Sequence, residues 1–239
     1  MKFIKFFALI FFDLVDKLIH QKKILLFIRK NKLNIQFFID VGAHKGTYSD
    51  LIIKNFKVKK ILMFEPQKNI FKIIKKKYNN LKFIKIFNNA VSDKNTFSKI
   101  YINRHDLTSS LVKIDETNNY LKQKAKLFAS GGSKSLIKET YKIKTVRLDS
   151  VIKKNNIKKI DLLKIDTEGH EFEVLLGLGM TIKNIHYILI EFHRDKIYPN
   201  YSPKKIHNYL IKNNFVLEDT FKFPFTYWED RIYKNKKLK

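Results

Sequence analysis

The chain has 239 residues and a formal net charge of +27, because 49 lysine and arginine residues outnumber 22 acidic ones. This length suits one globular domain, and 44% hydrophobic and 14% aromatic residues are enough to build a core, which excludes intrinsic disorder. No apolar stretch approaches the roughly 18 residues of a membrane-spanning helix. The chain has no cysteine, so disulfides, thiolate nucleophiles and zinc–thiolate sites are excluded.

The positive charge by itself leaves two interpretations open. It is spread over both halves of the chain, and all but five of the basic residues are lysine, whereas arginine is favoured for bidentate phosphate and base contacts. Abundant Lys, Asn, Ile and Phe, which have A/T-rich codons, favour genomic base composition as the cause. The alternative is a selected interaction, which would make the chain a non-catalytic nucleic-acid- or membrane-binding protein.

Residues 1–35 are predicted to form an amphipathic helical extension. Apolar side chains recur there at three- and four-residue steps, at Phe3, Phe7, Phe11, Leu14 and Leu18. A signal peptide is disfavoured because no small-residue cleavage site follows. We expect the extension to pack on the domain of a cytoplasmic protein, and peripheral association with the inner face of a membrane is the alternative.

From residue 36 onward, strands alternate with helices through a domain predicted to cover residues 36–239. Short apolar runs indicate strands at 36–41, 60–64, 83–87, 160–165, 186–192, 215–217 and 231–233. Helical patterns lie at 47–55, 67–79, after Gly169 and at 202–213. This alternation predicts an α/β fold with a doubly wound parallel sheet.

The interval 94–146 breaks this alternation. Two segments of alternating polarity, 97–102 and 141–146, enclose a polar stretch that contains Ser109, Ser110 and a Gly131–Gly132 pair. We expect an insertion beside the carboxyl edge of the sheet, where α/β folds bind ligands. A long surface loop is the alternative.

The segment from Phe38 to Thr47 joins a strand to a helix through a glycine turn. Gly42 and Gly46 allow positive φ and close backbone approach, and the turn is expected to present unpaired N–H groups to a ligand. It is neither a P-loop nor a GxGxxG dinucleotide motif, since His44 takes the second glycine position. Asp40 precedes the turn, where its carboxylate suits a ligand that carries an ammonium group.

Glu65 and Pro66 follow the next strand. An acidic residue at this position can accept hydrogen bonds from both ribose hydroxyls, as it does in Rossmann folds. Asp40 and Glu65 together therefore favour a nucleoside cofactor that bears an amino-acid group. Two ordinary strand ends with polar caps are the alternative.

Seven motifs, taken in order, resemble those of the FkbM family of S-adenosylmethionine-dependent methyltransferases. They are Asp40–Gly46, Phe64–Pro66, Asn89–Asp93, Ser109–Leu111, Val146–Asp149, Leu163–Glu171 and Ile190–His193. The resemblance implies the class I methyltransferase (Rossmann-like) fold, a mostly parallel seven-stranded sheet with its last strand antiparallel. It also implies methylation of hydroxyl oxygens on natural products or glycans.

The same resemblance implies which residues bind S-adenosylmethionine. The implied contacts are Gly42, Ala43 and Gly46 for the methionine moiety, Glu65 beside Pro66 for the ribose, and Asn89 and Ala90 for the adenine. Asp40 and His44 complete the turn, and Ser110 in the insertion would close over cofactor or acceptor. His44 departs from the asparagine common in the family, but a neutral imidazole can still form hydrogen bonds.

The predicted reaction centre consists of Asp166, Glu168, Glu191 and His193. Glu191 and His193 share one face of their strand because alternate residues point the same way. Methyl transfer to a hydroxyl needs in-line approach and usually removal of the hydroxyl proton, so His193 is the predicted general base. A hydrogen bond from the acceptor to Asp166 is the alternative.

Two other interpretations of these acidic residues stay open. Three carboxylates and an imidazole are hard oxygen and nitrogen ligands, so they could bind a divalent metal ion, although no motif predicts one. Glu168 and Glu171 could instead hydrogen-bond to backbone at the start of the following helix, and for Glu171 we favour this structural role.

We therefore predict an S-adenosylmethionine-dependent O-methyltransferase that acts on a hydroxyl group of a sugar in a surface glycan or related metabolite. Its expected partner is a small-molecule or glycan acceptor, and nucleic acid is not expected. An RNA methyltransferase is a further alternative, against which the chain has no (D/N)PP(F/Y)-like motif and no appended RNA-binding module.

Overall fold

The computed structural model describes residues 19–103, 109–118, 136–194, 196–223 and 227–238. The apolar stripe predicted for residues 3–18, with the membrane association that it would support, lies outside these residues. Within them, no helix has both the length and the apolar composition needed to cross a bilayer.

The described elements follow the predicted alternation of strands and helices. The helices are α1 (Gln21–Lys30), α2 (Thr47–Asn55), α3 (Lys68–Lys77), α4 (Leu148–Lys154), α5 (Glu171–Leu176) and α6 (Pro203–Lys212), with a 3₁₀ helix at Gly179–Asn184. The strands are β1 (Phe37–Val41), β2 (Lys60–Phe64), β3 (Ile84–Phe87), β4 (Ala90–Val91), β5 (Thr96–Asn103), β6 (Ile137–Val146), β7 (Ile160–Ile165), β8 (Ile185–His193), β9 (Phe215–Lys222) and β10 (Trp228–Asn235).

Seven of these strands form one sheet in the order β3-β2-β1-β7-β8-β10-β9. The pairs among β3, β2, β1, β7 and β8 are parallel, whereas β10 runs antiparallel to both of its neighbours. The predicted class I methyltransferase fold, with a reversed last strand, is confirmed. Because the first five strands are parallel, their carboxyl ends meet at one edge of the sheet.

The central strands are apolar because both of their faces are covered. Side chains on one face of the sheet, such as Ile39, Leu163 and Ile188, form a core cluster with residues of helices α4, α5 and α6. Side chains on the other face, such as Phe38 and Leu162, form a second cluster with residues of α1, α2 and α3. The sheet is therefore a buried layer, and its polar residues stand out at the carboxyl edge.

Helix α1 packs against this second face of the sheet. Ile24 and Ile28, four residues apart on one side of the helix, are fully buried in the cluster with Phe38 and Ile35. Arg29 and Lys30 occupy the last turn, where positive charge stabilises the carboxyl end of the helix dipole. The described part of the predicted extension is thus part of the domain's core.

The interval 94–146 adds a small sheet of three strands in the order β4-β6-β5. Strands β5 and β6 pair antiparallel, and β4, which directly follows the turn after β3, pairs parallel with β6. Ser110 returns to this sheet through an antiparallel bridge with Tyr101. Ser110 also reaches the main sheet, because its hydroxyl donates to the carbonyl of Thr167, in the loop after β7.

Candidate functional site

The glycine turn after β1 is packed against the end of β7. Gly42 has φ +78°, and a Cβ atom there would overlap the carbonyl oxygen of Asp166. Gly46 also has φ +78°, and a Cβ there would overlap the Tyr78 hydroxyl. Both positions therefore require glycine, since the left-handed conformation and the close approach exclude a side chain.

The N–H groups of this turn are bonded within the protein. Gly42 and Ala43 donate to the carbonyl of Phe64 at 3.0 Å, Gly46 donates to the carbonyl of Ala43, and His44 donates to the side chain of Glu65. The expectation that the turn offers unpaired N–H groups is wrong for these four residues. The physical reason is that Phe64 on the neighbouring strand β2 and Glu65 lie close enough to accept three of these four bonds, and Ala43 accepts the fourth.

Asp40 is a buried carboxylate on β1. One of its oxygens accepts a hydrogen bond from the Ser49 hydroxyl at 2.7 Å, and the other has no hydrogen-bond partner among the described residues. Burial raises the pKa of Asp40, while the nearby Lys164 ammonium and the Ser49 hydroxyl act in the opposite direction. Asp40 therefore has an unused acceptor in a place that favours a hydrogen-bond donor.

Glu65 is buried directly after β2, and both of its oxygens accept backbone hydrogen bonds. One accepts from the N–H of Gln67 at 2.7 Å and the other from the N–H of His44 at 2.8 Å. Burial raises the pKa of Glu65 to about 7, although these two donors favour the ionised form. The carboxylate is thereby fixed in orientation, with free lone pairs on both oxygens.

Residues predicted on the adenine side lie where β3 ends and the small sheet begins. Asn89 donates from its side-chain amide to the carbonyl of Lys144 on β6, and Ala90 is buried on β4. The carbonyl of Pro66 accepts from the Asn88 amide at 3.1 Å. These contacts tie the turn after β3 to Glu65–Pro66, and the adenine contacts stay a prediction.

Ser110 connects the interval 94–146 to the loop after β7. Its buried hydroxyl donates to the carbonyl of Thr167 at 3.0 Å and accepts from the N–H of Val112. It therefore reaches the loop that carries the reaction centre, and its role as a cofactor contact stays a prediction.

Lys164 is a charged residue that the sequence analysis did not select. It lies in β7 with only 2% of its surface exposed, and its ammonium donates to Asp166 at 2.7 Å. Burial lowers the pKa of Lys164, but the carboxylates of Asp166, Asp40 and Asp230 outweigh this and raise it above its ordinary value. The sequence does contain a sign of this buried ion pair. Lys164 lies inside an apolar strand, where a buried charge requires a partner of opposite charge.

Asp230, on β10, links this charge to the amino-terminal part of the chain. Its carboxylate accepts from the Tyr48 hydroxyl at 2.7 Å and lies 2.8 Å from the imidazole of His20, which is fully buried. Burial would raise the pKa of Asp230, but His20, Lys164 and Tyr48 lower it below its ordinary value. Asp230 is thus held ionised by groups from three elements.

The remaining predicted residues of the reaction centre converge beside this charge network. The imidazole Nε2 of His193 lies 3.0 Å from a carboxylate oxygen of Glu191 and 4.0 Å from one of Glu168. Glu191 and His193 are 7% and 5% exposed. Asp166 is turned toward Lys164, so the structure brings together three of the four predicted residues and places the fourth next to them.

The pKa values of both carboxyl groups in this cluster, Glu168 and Glu191, are raised. Burial, and then the charge of Glu191, raise the pKa of Glu168 well above its ordinary value. Burial, and then Asp166 and Asp230, raise the pKa of Glu191 in the same way. Buried carboxyl groups with such shifts are typical of functional sites, because they sit where negative charge is not fully compensated.

Two tyrosines from the segment after β8 complete the cluster. The rings of His193, Tyr198 and Tyr201 contact one another, with the two tyrosine ring centroids 4.8 and 5.4 Å from that of His193. The Tyr198 hydroxyl donates to Glu168, which itself has φ +56°, a left-handed conformation that costs a non-glycine residue about 1–2 kcal/mol. The surrounding contacts hold Glu168 in this conformation, with its side chain directed at His193.

Glu171 has the structural role that we favoured. One of its oxygens accepts from the N–H groups of Thr167 and Gly169 and from the Thr167 hydroxyl. These bonds close the loop between β7 and α5, and the prediction for Glu171 is confirmed. The same loop is therefore shaped by Glu171 and carries Glu168 into the site.

A cavity of about 300 Å³ lies beside this loop. Its walls include Val112 from the interval 94–146, Gly169, and the rings of Phe172 and Tyr201. The ammonium of Lys205 lies 4.2 Å from the centre of the Phe172 ring. The cavity thus combines aromatic rings with one basic and one acidic side chain, Lys205 and Glu173.

Known proteins resemble this chain in sequence and in fold. A family model described as "Methyltransferase FkbM domain" matches residues 40–217. A curated relative, hexuronic acid methyltransferase AglP of Haloferax volcanii, is 31% identical over 65 residues. That match spans 27% of this chain and 27% of the relative, about a quarter of each.

Two solved structures share the fold. A methyltransferase FkbM from Methylobacillus flagellatus KT has a TM-score of 0.52 and 14% identity, covering 84% of this chain and 43% of that one. Magnesium protoporphyrin IX methyltransferase from Synechocystis PCC 6803, solved with bound SAM, has a TM-score of 0.50 and 11% identity, covering 93% and 81%. At these identities the likeness concerns the fold.

Proposed function

Because the chain belongs to the FkbM methyltransferase family, whose cofactor is S-adenosylmethionine, we propose that it transfers the methyl group to a hydroxyl of a sugar. The observation that carries the proposal is the convergence of Glu168, Glu191 and His193 next to Asp40 and Glu65, at the carboxyl ends of neighbouring parallel strands. Proton-accepting groups therefore lie beside acceptors suited to a nucleoside and an ammonium.

The cofactor fits these two acidic residues by the chemistry of its donors. The methionine ammonium of S-adenosylmethionine would complement Asp40, which has a buried oxygen without a described partner. The ribose hydroxyls would donate to the lone pairs of Glu65 that its backbone bonds leave free. The glycines at 42 and 46 would keep the turn close to the methionine moiety, as the family resemblance implies.

Transfer to a hydroxyl requires a group that accepts the hydroxyl proton. The Nε2 atom of His193 makes no hydrogen bond to a described residue, so we propose it as the atom that takes up the hydroxyl proton once the acceptor is bound. Glu191, 3.0 Å away, would stabilise the imidazolium that results. These two observations support the prediction of His193 as general base.

The cavity beside the loop after β7 supports a proposal for the acceptor class. The Tyr201 ring would suit the apolar face of a pyranose ring, and Lys205, which lies over the Phe172 ring, would pair with a carboxylate. The relative from Haloferax volcanii is described as a hexuronic acid methyltransferase. We therefore propose a uronic acid, or a glycan that contains one, as the acceptor.

Binding of S-adenosylmethionine should weaken as the pH falls through about 7. Glu65 has a pKa raised to about 7 by burial, so it is ionised and accepts ribose hydroxyls above this pH, and it becomes protonated below it. If the protonated form does not bind, the Kd at pH 6 is about tenfold higher than at pH 8. Isothermal titration calorimetry at both pH values measures this ratio.

The control for this titration is Glu65→Gln, which removes the titrating group and keeps Asp40 and His44, the charged or titratable groups that face it. This variant should bind S-adenosylmethionine more weakly than the wild type does at pH 8, and its Kd should depend less on pH. Absence of any saturable binding by the wild-type chain at pH 8 would contradict the proposed function.

Replacing His193 with alanine should reduce kcat by about 10²–10⁴-fold and leave the Kd for S-adenosylmethionine within about twofold, because a general base acts in the transfer step. Turnover is measured with isotopically labelled S-adenosylmethionine and a panel of hexose and hexuronic acid glycosides. The matched control is His207→Ala, since His207 bonds to Tyr233 on the other side of the sheet. Full turnover by the His193 variant would show that another group takes the proton.

A further inference from the structure

We propose that Glu168, Glu191 and His193 form a binding site for a divalent cation of the Mn²⁺ type. Each residue offers one ligand atom, and the three atoms all lie within 4.8 Å of one another. Two carboxylate oxygens and an imidazole nitrogen are a ligand set that first-row divalent metals accept. The inference concerns the same site as the proposed function. Only the catalytic role of the cation rests on the proposed function, whereas its binding does not.

Two of the distances within the cluster fit a single coordination sphere. For metal–ligand bonds of about 2.1 Å, two ligands at right angles are about 3.0 Å apart and two opposite ligands about 4.2 Å apart. The distances from His193 Nε2 are 3.0 Å to Glu191 and 4.0 Å to Glu168. All three ligand atoms lie within 4.8 Å of one another, so the two carboxylates would have to approach by up to about 0.6 Å for one ion to reach all three atoms.

A second, independent observation is that two of these atoms are buried and lack hydrogen bonds. The Oε2 atom of Glu191 and the Nε2 atom of His193 face each other, but neither forms a hydrogen bond with any residue that the structure describes. Both side chains are more than nine-tenths buried. Buried polar atoms without partners are costly, and a shared cation would satisfy both at once.

The surroundings of the cluster support a cation rather than a proton alone. Asp230 lies opposite Glu191 in the β8–β10 pair, and Asp166 comes directly after β7, the strand that contains Lys164. The ammonium of Lys164 bonds to Asp166, and its attraction to Glu191 is weaker than the effects of burial and of the neighbouring carboxylates. The Tyr198 hydroxyl bonds to Glu168 and orients it, as outer-shell groups do for metal ligands.

Three protein ligands leave coordination positions open for a water molecule or for the acceptor. Sites with three protein ligands and an open position are typical of catalytic metals, whereas structural sites are closed. A cation here would hold the acceptor hydroxyl in a fixed position beside the predicted cofactor site. His193 would then act as a ligand, and not as the free base of the proposed mechanism.

The test is isothermal titration of the full chain, first treated with EDTA and dialysed, with MnCl₂, and in separate runs with MgCl₂ and ZnCl₂. We expect saturable binding of one Mn²⁺ per chain, and at least tenfold weaker binding by Glu191→Gln, which removes one anionic ligand at constant volume. The matched control is Glu218→Gln on β9, an exposed glutamate outside the cluster, which should bind as the wild type does.

Two outcomes would overturn the cation site: absence of saturable Mn²⁺ binding, or binding by the Glu191 variant that equals the wild type. Circular dichroism checks that this variant is folded, and His193→Asn provides a second test if it is not. Titration with S-adenosylmethionine in EDTA is run in parallel. A chain that binds the cofactor and transfers methyl groups equally well in EDTA retains the proposed function and lacks the cation site.

Discussion

The variant Lys164→Met should be less stable than the wild type by about 3–5 kcal/mol, which is the usual effect of removing one partner from a buried ion pair. The ammonium of Lys164 is 2% exposed and faces Asp40, Asp166 and Asp230. Methionine fills a similar volume, so the loss reflects uncompensated carboxylates more than a cavity. Chemical denaturation at pH 8 measures the difference in the free energy of unfolding.

The difference in the free energy of unfolding between the wild type and Lys164→Met should become smaller as the pH is lowered. Lys164 lowers the pKa values of Asp40 and Asp230, so without the ammonium both pKa values rise in the folded variant relative to the folded wild type. The folded variant then takes up more protons than the folded wild type does, so its stability relative to wild type increases as the pH falls from 8 to 5. The control is Lys159→Met, which removes an exposed lysine paired with Asp161 and should change stability by less than about 1 kcal/mol. Equal stability of the wild type and Lys164→Met at pH 8 would contradict this account of the network.

The variant Gly42→Ala should lose binding of S-adenosylmethionine by more than about a hundredfold. The φ of +78° costs an alanine about 1–2 kcal/mol, and its Cβ would overlap the carbonyl oxygen of Asp166. That oxygen belongs to the backbone and cannot move aside as a flexible side chain can. The ends of β1 and β7 must therefore separate, which displaces both Asp40 and Asp166, and titration calorimetry measures the loss.

The matched control for this variant is Lys45→Ala, in the same turn but on an exposed residue. It shortens a side chain without changing the backbone, so the Kd should stay within about twofold of wild type. Thermal unfolding separates a local effect of Gly42→Ala from general unfolding. Binding by the Gly42 variant that matches the Lys45 control would show that the turn does not touch the cofactor.

The sequence predicted the central strands well because they are mostly apolar runs, which can be recognised without knowledge of their neighbours. The segment 160–165 is an example, since burial on both faces selects apolar residues at every position except Asp161 and Lys164. For the more polar β9 and β10 it predicted only the short apolar parts, 215–217 and 231–233. The acidic residues at 40 and 65 were also identifiable, because a polar side chain at the end of such a run has few structural explanations. Local pattern was sufficient for these features.

The network around Lys164 could not be predicted in the same way. Asp230 reaches it from β10, and β10 is next to β8 only because the last strand inserts between β8 and β9. His20 joins Asp230 from the other end of the chain. Tyr198 likewise meets Glu168 across 30 residues of sequence. Such partners depend on the order of strands in the sheet, which hydrophobic periodicity does not encode.

The position of β10 has a consequence for the way in which the domain assembles. During synthesis, β8 is made well before β10, and until residues 228–235 emerge it has a neighbour on one side only. An apolar strand with an open edge is prone to wrong pairing, and contacts between distant segments form late in folding. The strand that carries Glu191 and His193 is therefore the part of the sheet most dependent on the arrival of the carboxyl-terminal hairpin. The predicted reaction centre thus depends on this late pairing more than the predicted cofactor contacts Asp40 and Glu65 do, since those belong to β1 and to the residue after β2.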